Sequence, residues 1–523
     1  MRTRGYLYAC AILSGVLVGL SVILPEWVGM LEWVALVPFF LFLLPLGERV
    51  CPPKRYFFTS GFLFYLAYGL TYFHWFWALY PLDFTGLNGA ESIVVILFAW
   101  VGLSTLYALL GGALFLVPCL LGRLGIYRRV PMVSVLTLPA IFVLYEFILT
   151  LDWWGVPWGK LALGQTFFLP TLQSASLLGS YFITALLVLT NASLAFLLVY
   201  RGRALVRALP FVATAVLVVL NTTVGVLLYE RAPTLEENQR TVKIAVLQGN
   251  NASQEDITDP ESFQRYIDLS EDAALAGADV ILWPESSIAG AIFEHNYFGL
   301  YASEFARVYE VYLIIGSTTY RDGNEYNTMT LFDREGRLSD YYDKRTLVPF
   351  GEFVPYRDFF EVVIPPLVEV TMLDGDCSAG DDASIFERED IGRLGGLICF
   401  ESIYERLALA TVRQGAEVFI VGTNDSWFRE SRATKMHTAH EQLRSIECGR
   451  YSARAACTGL TCFINARGEI VDSLPLYEEG FLVMDVPRLT HTTLYARLGD
   501  LVVPTSALLL FSLCLISLLR KEK

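Results

Sequence analysis

Hydrophobic positions fall into two textures along this 523-residue chain. Up to residue 228 they form long unbroken apolar runs, whereas from Thr241 onward they break into short runs separated by amphipathic stretches. A helix needs about 18 or more apolar residues to cross the hydrocarbon core of a bilayer. Residues 6–24, 57–79, 93–121, 132–151, 177–200, 211–228 and 501–519 reach that length. The run at 33–46 is shorter, yet it is counted as an eighth span because the charges on either side of it make no sense otherwise.

With eight spans, one set of loops and ends holds fourteen cations: Arg2, Arg4, Arg49, Lys54, Arg55, Arg123, Arg128, Arg129, Arg201, Arg203, Arg207, Arg520, Lys521 and Lys523. The opposite short loops hold only Lys160. Cytoplasmic loops of membrane proteins carry the Lys and Arg excess, so both termini are expected in the cytoplasm and residues 230–500 on the far side of the membrane. The first run follows Met1-Arg2-Thr3-Arg4 as a secretory signal would, but no small-x-small site occurs near Pro25, which favours an uncleaved span. The expected domains are a seven-helix membrane domain at 1–229, an exported domain at 230–500, and an eighth helix with a short tail at 501–523.

The exported segment alternates short apolar strands with polar helices. Strands are expected at 242–247, 280–283, 312–316, 326–332, 394–400, 417–422 and 460–465, and helices at 260–276, 402–414 and 434–451. Such alternation means an α/β domain with a substantial sheet. Asp333-Arg334-Glu335-Gly336 and Asn465-Ala466-Arg467-Gly468 read as turns between strands.

Composition agrees with a membrane protein: 54% of residues are hydrophobic and the mean hydropathy is +0.47. The net charge of −14 is uneven, because residues 230–500 carry 24 Lys and Arg against 45 Asp and Glu. A domain so acidic is not built for nucleic acid. Nine cysteines are scattered without zinc-site spacing or the density of a disulfide scaffold, so no metal and no other cofactor is expected. Whether Cys457 and Cys462 pair is left open. Aromatic stretches at 72–77 and 153–158 fall near outer span ends, where they form either an interfacial belt or a lipid-facing entrance. Glu146, inside the fifth span, must face the bundle and have a partner.

Three residues at strand ends could carry covalent chemistry, since an open α/β sheet presents its reactive groups there. Glu285 ends Ile281-Leu282-Trp283-Pro284-Glu285, Lys344 follows Tyr341-Tyr342-Asp343, and Cys399 ends Gly395-Gly396-Leu397-Ile398-Cys399. A thiol nucleophile needs a base, and the oxyanion it creates needs a donor or a cation. Glu285 can serve as the first and Lys344 as the second. Glu352, in the Pro- and Gly-punctuated loop after Lys344, is available to orient it.

Taken together, the settings W-P-E-S, Y-x-K-x-x-L-V-P-F-G-E and I-C-F-E, in that order, resemble the nitrilase (carbon-nitrogen hydrolase) superfamily. With spans before and after the domain, the chain is similar to the apolipoprotein N-acyltransferase family. Thr423-Asn424-Asp425-Ser426-Trp427-Phe428 is similar to that family's N-D-x-W-F motif, and Glu146 with Gly155-Val156-Pro157-Trp158 echoes its membrane half. The resemblance implies an αββα sandwich and a two-step reaction at the outer face of the bacterial inner membrane. A membrane phospholipid would acylate Cys399, and the thioester would pass its chain to the α-amine of a diacylglyceryl-cysteine at a lipoprotein N-terminus. It also implies supporting roles for Glu352, Phe400 and Glu401, substrate contacts by Asn424, Trp427 and Glu146, and a monomer. Phe400, Thr346 and Arg429 stand where the family often has Tyr, His and Gly, and a Trp common after the first strand has no counterpart near Ile257.

Competing readings remain. Cys399 could pair with His437 or His440 on a polar helix face, although serine chemistry lacks a G-x-S-x-G elbow. A membrane-anchored amidase would use the same cysteine with water as acceptor, but a tether needs only one span. A transporter or receptor would need more ionisable residues in its spans than His74 and Glu146.

Overall fold

The computed structural model describes residues 2–24, 26–47, 53–82, 86–233, 240–251, 260–288, 291–293, 295–363, 368, 371 and 375–519. Met1, Pro25, Arg49, Ile257, Arg520, Lys521 and Lys523, named above, lie outside them. The chain divides into two compact units, one of Met1–Tyr80, Glu91–Arg231 and Leu498–Lys523, the other of Pro81–Ala90 and Ala232–Arg497.

The first unit is helical. Among the described residues six helices are long and apolar enough to cross a membrane: Gly5–Ile23, Trp27–Pro45, Gly89–Arg123, Ser180–Val199, Ala204–Arg231 and Val502–Leu519. The short run at 33–46 gains length because the 3-10 turns Glu26–Trp33 lead into the helix Val37–Gly47. The other two expected spans are helices that fall short of the criterion for different reasons. Lys54–Tyr72 opens with two cations and carries four tyrosines. Val133–Ile148 has 16 residues, about 24 Å at 1.5 Å per residue, against a hydrocarbon core of about 30 Å.

Two buried carboxylates and a buried lysine inside this unit are partnered, as an apolar medium requires. Glu146 is buried, with Oε1 accepting the Leu161 N–H at 2.9 Å and Oε2 the Thr184 hydroxyl at 2.7 Å. A second buried carboxylate, Glu32, which the sequence reading passed over, accepts from Gln165 at 2.6 Å and Ser21 at 3.1 Å. Lys160 lies in the irregular segment before the 3-10 turn Leu161–Gln165, as a loop residue should, but it is buried. Its Nζ donates to Ser180 Oγ at 3.0 Å and lies 4.0 Å from the centre of the Tyr181 ring.

Among the described residues the second unit holds twelve strands: β1 Thr241–Gln248, β2 Val280–Leu282, β3 Tyr312–Arg321, β4 Asn324–Phe332, β5 Leu338–Asp343, β6 Ile385–Arg388, β7 Gly392–Ile398, β8 Val418–Thr423, β9 Tyr451–Ala456, β10 Cys462–Ile464, β11 Ile470–Ser473 and β12 Gly480–Pro487. They form two six-stranded sheets, in the orders β12-β1-β2-β3-β4-β5 and β11-β10-β9-β8-β7-β6. Each sheet has three parallel central strands, β1-β2-β3 and β7-β8-β9, with antiparallel neighbours outside them. Side chains alternate across a strand. In β1, Ile244 and Val246 therefore join Ile314, Leu394, Ile420 and Ala453 in a core between the sheets, while Ala245 and Leu247 pack against Phe263, Tyr266 and Phe305 of the helices Pro260–Leu275 and Tyr297–Tyr309. The helices Glu405–Arg413 and Ala433–Cys448 pack on the second sheet. The layering is helix, sheet, sheet, helix.

The expected helix at 434–451 ends earlier, at Cys448, because Gly449 takes φ 63° and caps it. Residues from Tyr451 then enter β9, a strand absent from the pattern reading because it interrupts an apolar run with the buried Arg454. Strand β11 leaves no alternation to read, since all four of its residues are exposed; only the turn at 465–468 pointed to it.

Candidate active site

The residues singled out at strand ends converge. Glu285 lies just beyond β2, Lys344 directly follows β5, and Cys399 directly follows β7. The turn carrying Glu285 comes so close to β3 that a Cβ on Gly316 would sit 2.1 Å from the Pro284 carbonyl oxygen. Any larger residue there would push the carboxylate away.

Lys344 Nζ donates to Glu285 Oε1 at 2.8 Å and to Glu352 Oε1 at 2.9 Å. Asn327 Nδ2 joins the same two carboxylates, at 2.8 Å to Glu285 and 2.6 Å to Glu352. Glu285 Oε2 accepts the backbone N–H of Asn424 at 2.9 Å, and Glu352 Oε2 that of Val348 at 2.7 Å. Burial would raise the Glu285 pKa, but the Lys344 ammonium and hydrogen bonds from Lys344, Cys399 and Asn327 outweigh it and hold this carboxyl below its ordinary value. Burial works against the Lys344 charge as well, yet Glu285 and Glu352 keep its pKa well above the lysine range.

Cys399 is half-buried and begins a short 3-10 helix, Cys399–Ile403. Its φ of 49° lies in the left-handed region, so the elbow is a strained one for a residue with a Cβ. Burial and the Glu285 charge push the thiol pKa well above its usual value, against the opposing pull of Lys344. The resting pair is a carboxylate beside a protonated thiol.

Glu401 ties the elbow to the lysine loop. Oε1 accepts the N–H groups of Arg345 at 2.7 Å and Thr346 at 3.3 Å, while Oε2 accepts the Ile398 N–H at 2.8 Å and the Tyr342 hydroxyl at 2.6 Å. Phe400 is buried and packs edge-on against Tyr404. Thr346 Oγ1 accepts from Arg406 at 3.0 Å. The Asn424 side chain is turned onto Ser426, with Oδ1 accepting its hydroxyl at 2.6 Å, so its backbone rather than its amide meets Glu285. Trp427 is 41% exposed on the turn Ser426–Phe428. Arg429, next on this turn, has φ 43° and ψ −145°, a backbone state that glycine takes freely. Glu146 belongs to the other compact unit.

The histidines depart from expectation. Both His437 and His440 are fully buried rather than on a polar helix face. His437 Nε2 lies 3.0 Å from the Cys399 carbonyl oxygen and Nδ1 lies 2.8 Å from Asp425 Oδ1. It therefore grips the cysteine's backbone instead of pairing with its sulfur. Behind it, Arg454 bridges Asp425 and Glu441, each at 2.7 Å. Burial raises the Asp425 pKa, but Arg454 and His437 reverse that and hold it well below the usual carboxylate range.

Cys399, Asp425 and His437 bring one sulfur, one oxygen and one nitrogen within 4.8 Å of one another. Both imidazole nitrogens and both Asp425 oxygens are already engaged by protein groups, so this donor set does not fit a resident metal. Cys457 and Cys462 are free and buried, and the Cys457 thiol donates to the Glu285 carbonyl at 3.3 Å. Sequence reasoning missed Asn327 and Arg454 as parts of this cluster; Asp425 entered only within the N-D-x-W-F stretch, and His437 only as a partner for the sulfur.

The carbon-nitrogen hydrolase family matches residues 243–494, which include every member of this cluster, and the apolipoprotein N-acyltransferase N-terminal domain matches residues 14–193. The apolipoprotein N-acyltransferase of Geobacter metallireducens is 28% identical over 94% of this chain and 92% of its own. That of Methylococcus capsulatus is 30% identical over 77% of this chain and 78% of its own, and that of a Nostoc species 27% identical over 91% and 92%. With both domains matched in order and the shared lengths so extensive, the chain belongs to the apolipoprotein N-acyltransferase family.

Proposed function

We propose that this membrane enzyme N-acylates lipoproteins through a thioester on Cys399. The observation that carries the reading is the ion pair of Glu285 and Lys344 beside Cys399, with Lys344 Nζ 2.8 Å from Glu285 Oε1 and both charges felt by the thiol. In the first half-reaction the Glu285 carboxylate takes the thiol proton as sulfur attacks an ester carbonyl of a phospholipid. The S–C bond forms, the ester C–O bond breaks, and Glu285 returns the proton to the departing lysophospholipid oxygen. In the second, the α-amine of a diacylglyceryl-cysteine attacks the thioester. A C–N bond forms, the C–S bond breaks, and the amine proton passes through Glu285 back to sulfur.

An ammonium has three donors. Two are spent on Glu285 and Glu352, leaving the third for the oxyanion beside the backbone N–H of Phe400. One such donor is typically worth about 2.7–4 kcal/mol. Glu352 and Glu401 hold Lys344 and the elbow in place, and Trp427, Asn424 and Glu146 remain candidates for substrate contact. The lysine and arginine asymmetry supports eight spans, cytoplasmic termini and a periplasmic catalytic domain in the bacterial inner membrane, with the enzyme acting as a monomer.

Mass spectrometry of the full-length protein incubated with phospholipid tests the reading. An acyl adduct is expected on Cys399 and absent from Cys399→Ala. An adduct on another cysteine, or turnover without any adduct, refutes it. If a diacylglyceryl-cysteine peptide fails to discharge the thioester faster than water does, the amidase reading replaces it.

A further inference from the structure

We infer that His437 is a positioning residue for the oxyanion hole, acting through the peptide bond between Cys399 and Phe400; this rests on the thioester reading above. The Cys399 carbonyl oxygen is held by two side chains: His437 Nε2 at 3.0 Å, and the Ser402 hydroxyl, which donates to it at 2.9 Å. A carbonyl oxygen and a carboxylate oxygen can each only accept, so holding both takes an N–H on each imidazole nitrogen; Nε2 also lies 3.0 Å from the Ser402 hydroxyl. The other ring nitrogen faces Asp425, which is locked by Arg454 and by the Thr423 hydroxyl at 3.0 Å. The ring is fully buried and cannot swing out to solvent.

In a trans peptide the carbonyl oxygen of one residue and the N–H of the next lie in one plane and point in opposite directions. Gripping the oxygen of Cys399 therefore aims the N–H of Phe400. Without the grip this aim would not hold itself, because Cys399 sits at φ 49°, where a residue with a Cβ gains by relaxing. The chain Arg454–Asp425–His437 thus sets the direction of a donor that none of its side chains touches.

The test compares His437→Leu, which removes the donor, with His437→Gln, whose side-chain amide can return an N–H to the same carbonyl, and with Ser402→Ala, which removes the second grip. Two rates are read on each full-length variant: acyl transfer from phospholipid to Cys399, and alkylation of Cys399 by iodoacetamide, which forms no oxyanion. His437→Leu is expected to lower kcat at least 100-fold with KM within threefold of the parent and alkylation essentially unchanged. His437→Gln should recover at least tenfold of the loss, and Ser402→Ala should lose about three- to tenfold. Equal acylation rates in His437→Leu and the parent overturn the inference while leaving the thioester reading intact. Loss of alkylation in parallel with acylation also overturns it, because His437 would then support the whole elbow rather than the oxyanion donor. Should His437→Leu not fold, the inference stands or falls on Gln and Ala: a His437→Gln enzyme no faster than Ser402→Ala, or a Ser402→Ala enzyme at the parental rate, overturns it. If the parent forms no adduct on Cys399, the thioester reading itself has failed, an outcome visible before any variant is made.

Discussion

Glu401 accepts the backbone N–H of Arg345 at 2.7 Å across 56 residues of sequence, and that bond couples the loop of Lys344 to the elbow of Cys399. The two halves of the reactive set come from different sheets, β5 from one and β7 from the other. Their separation is set by this buried carboxylate, not by either strand alone.

Glu401→Ala should therefore loosen both sides at once. Removing a buried charged acceptor that serves four donors is expected to cost about 3 kcal/mol or more. The protein should melt several degrees lower and acylate Cys399 at least tenfold more slowly. Unchanged melting and turnover would mean that the two sheets fix the site without Glu401.

The pH profile follows from the directions of the shifts. Glu285 lies below its ordinary value of 4.5 and the Cys399 thiol well above 9.0, so the carboxylate–thiol pair persists across the neutral range. Acylation should stay flat there and fall on the acid side only below the usual Glu range. For stability, the depressed Glu285 contributes above its unfolded pKa and loses that contribution as pH falls through its folded value. The raised Lys344 contributes fully below 10.5 and loses it only as pH rises through a still higher folded value. Acylation rates from pH 4 to 10 check this; an acid limb near pH 7 would contradict it.

Arg454→Met should leave Asp425 and Glu441 buried without their shared cation. Breaking a buried ion pair from one side typically costs about 3–5 kcal/mol. Burial already pushes the Glu441 pKa up despite Arg454, so this side chain should take up a proton in the variant. Thermal melting and limited proteolysis should show the loss, and a variant as stable as the parent would mean that the two carboxylates relax to other partners.

Glu146→Leu should strand the Leu161 N–H and the Thr184 hydroxyl inside the helical unit. Each unmet buried group costs about 1–3 kcal/mol. Glu146→Gln, which can still accept, should lose less. Melting of the two full-length variants in detergent ranks them, and the reverse order would mean that Glu146 is not held by these two donors.

Much of this protein was determined by its sequence. Long apolar runs, a one-sided distribution of Arg and Lys, and strand ends carrying Glu285, Lys344 and Cys399 are local patterns, and local patterns survive without coordinates. Tertiary structure decided the rest. Asn327 stands 42 positions from Glu285, and Arg454 stands 29 from Asp425, yet each pair is hydrogen-bonded. No periodicity relates such residues; only the lateral pairing of strands within each sheet brings them together. Packing of the helix Ala433–Cys448 on the second sheet turned His437 and His440 inward, just as packing in the helical unit buried Glu32 and Lys160. A polar side chain reads as surface until a fold supplies the partner that makes its burial affordable, and that partner is rarely near it in the chain.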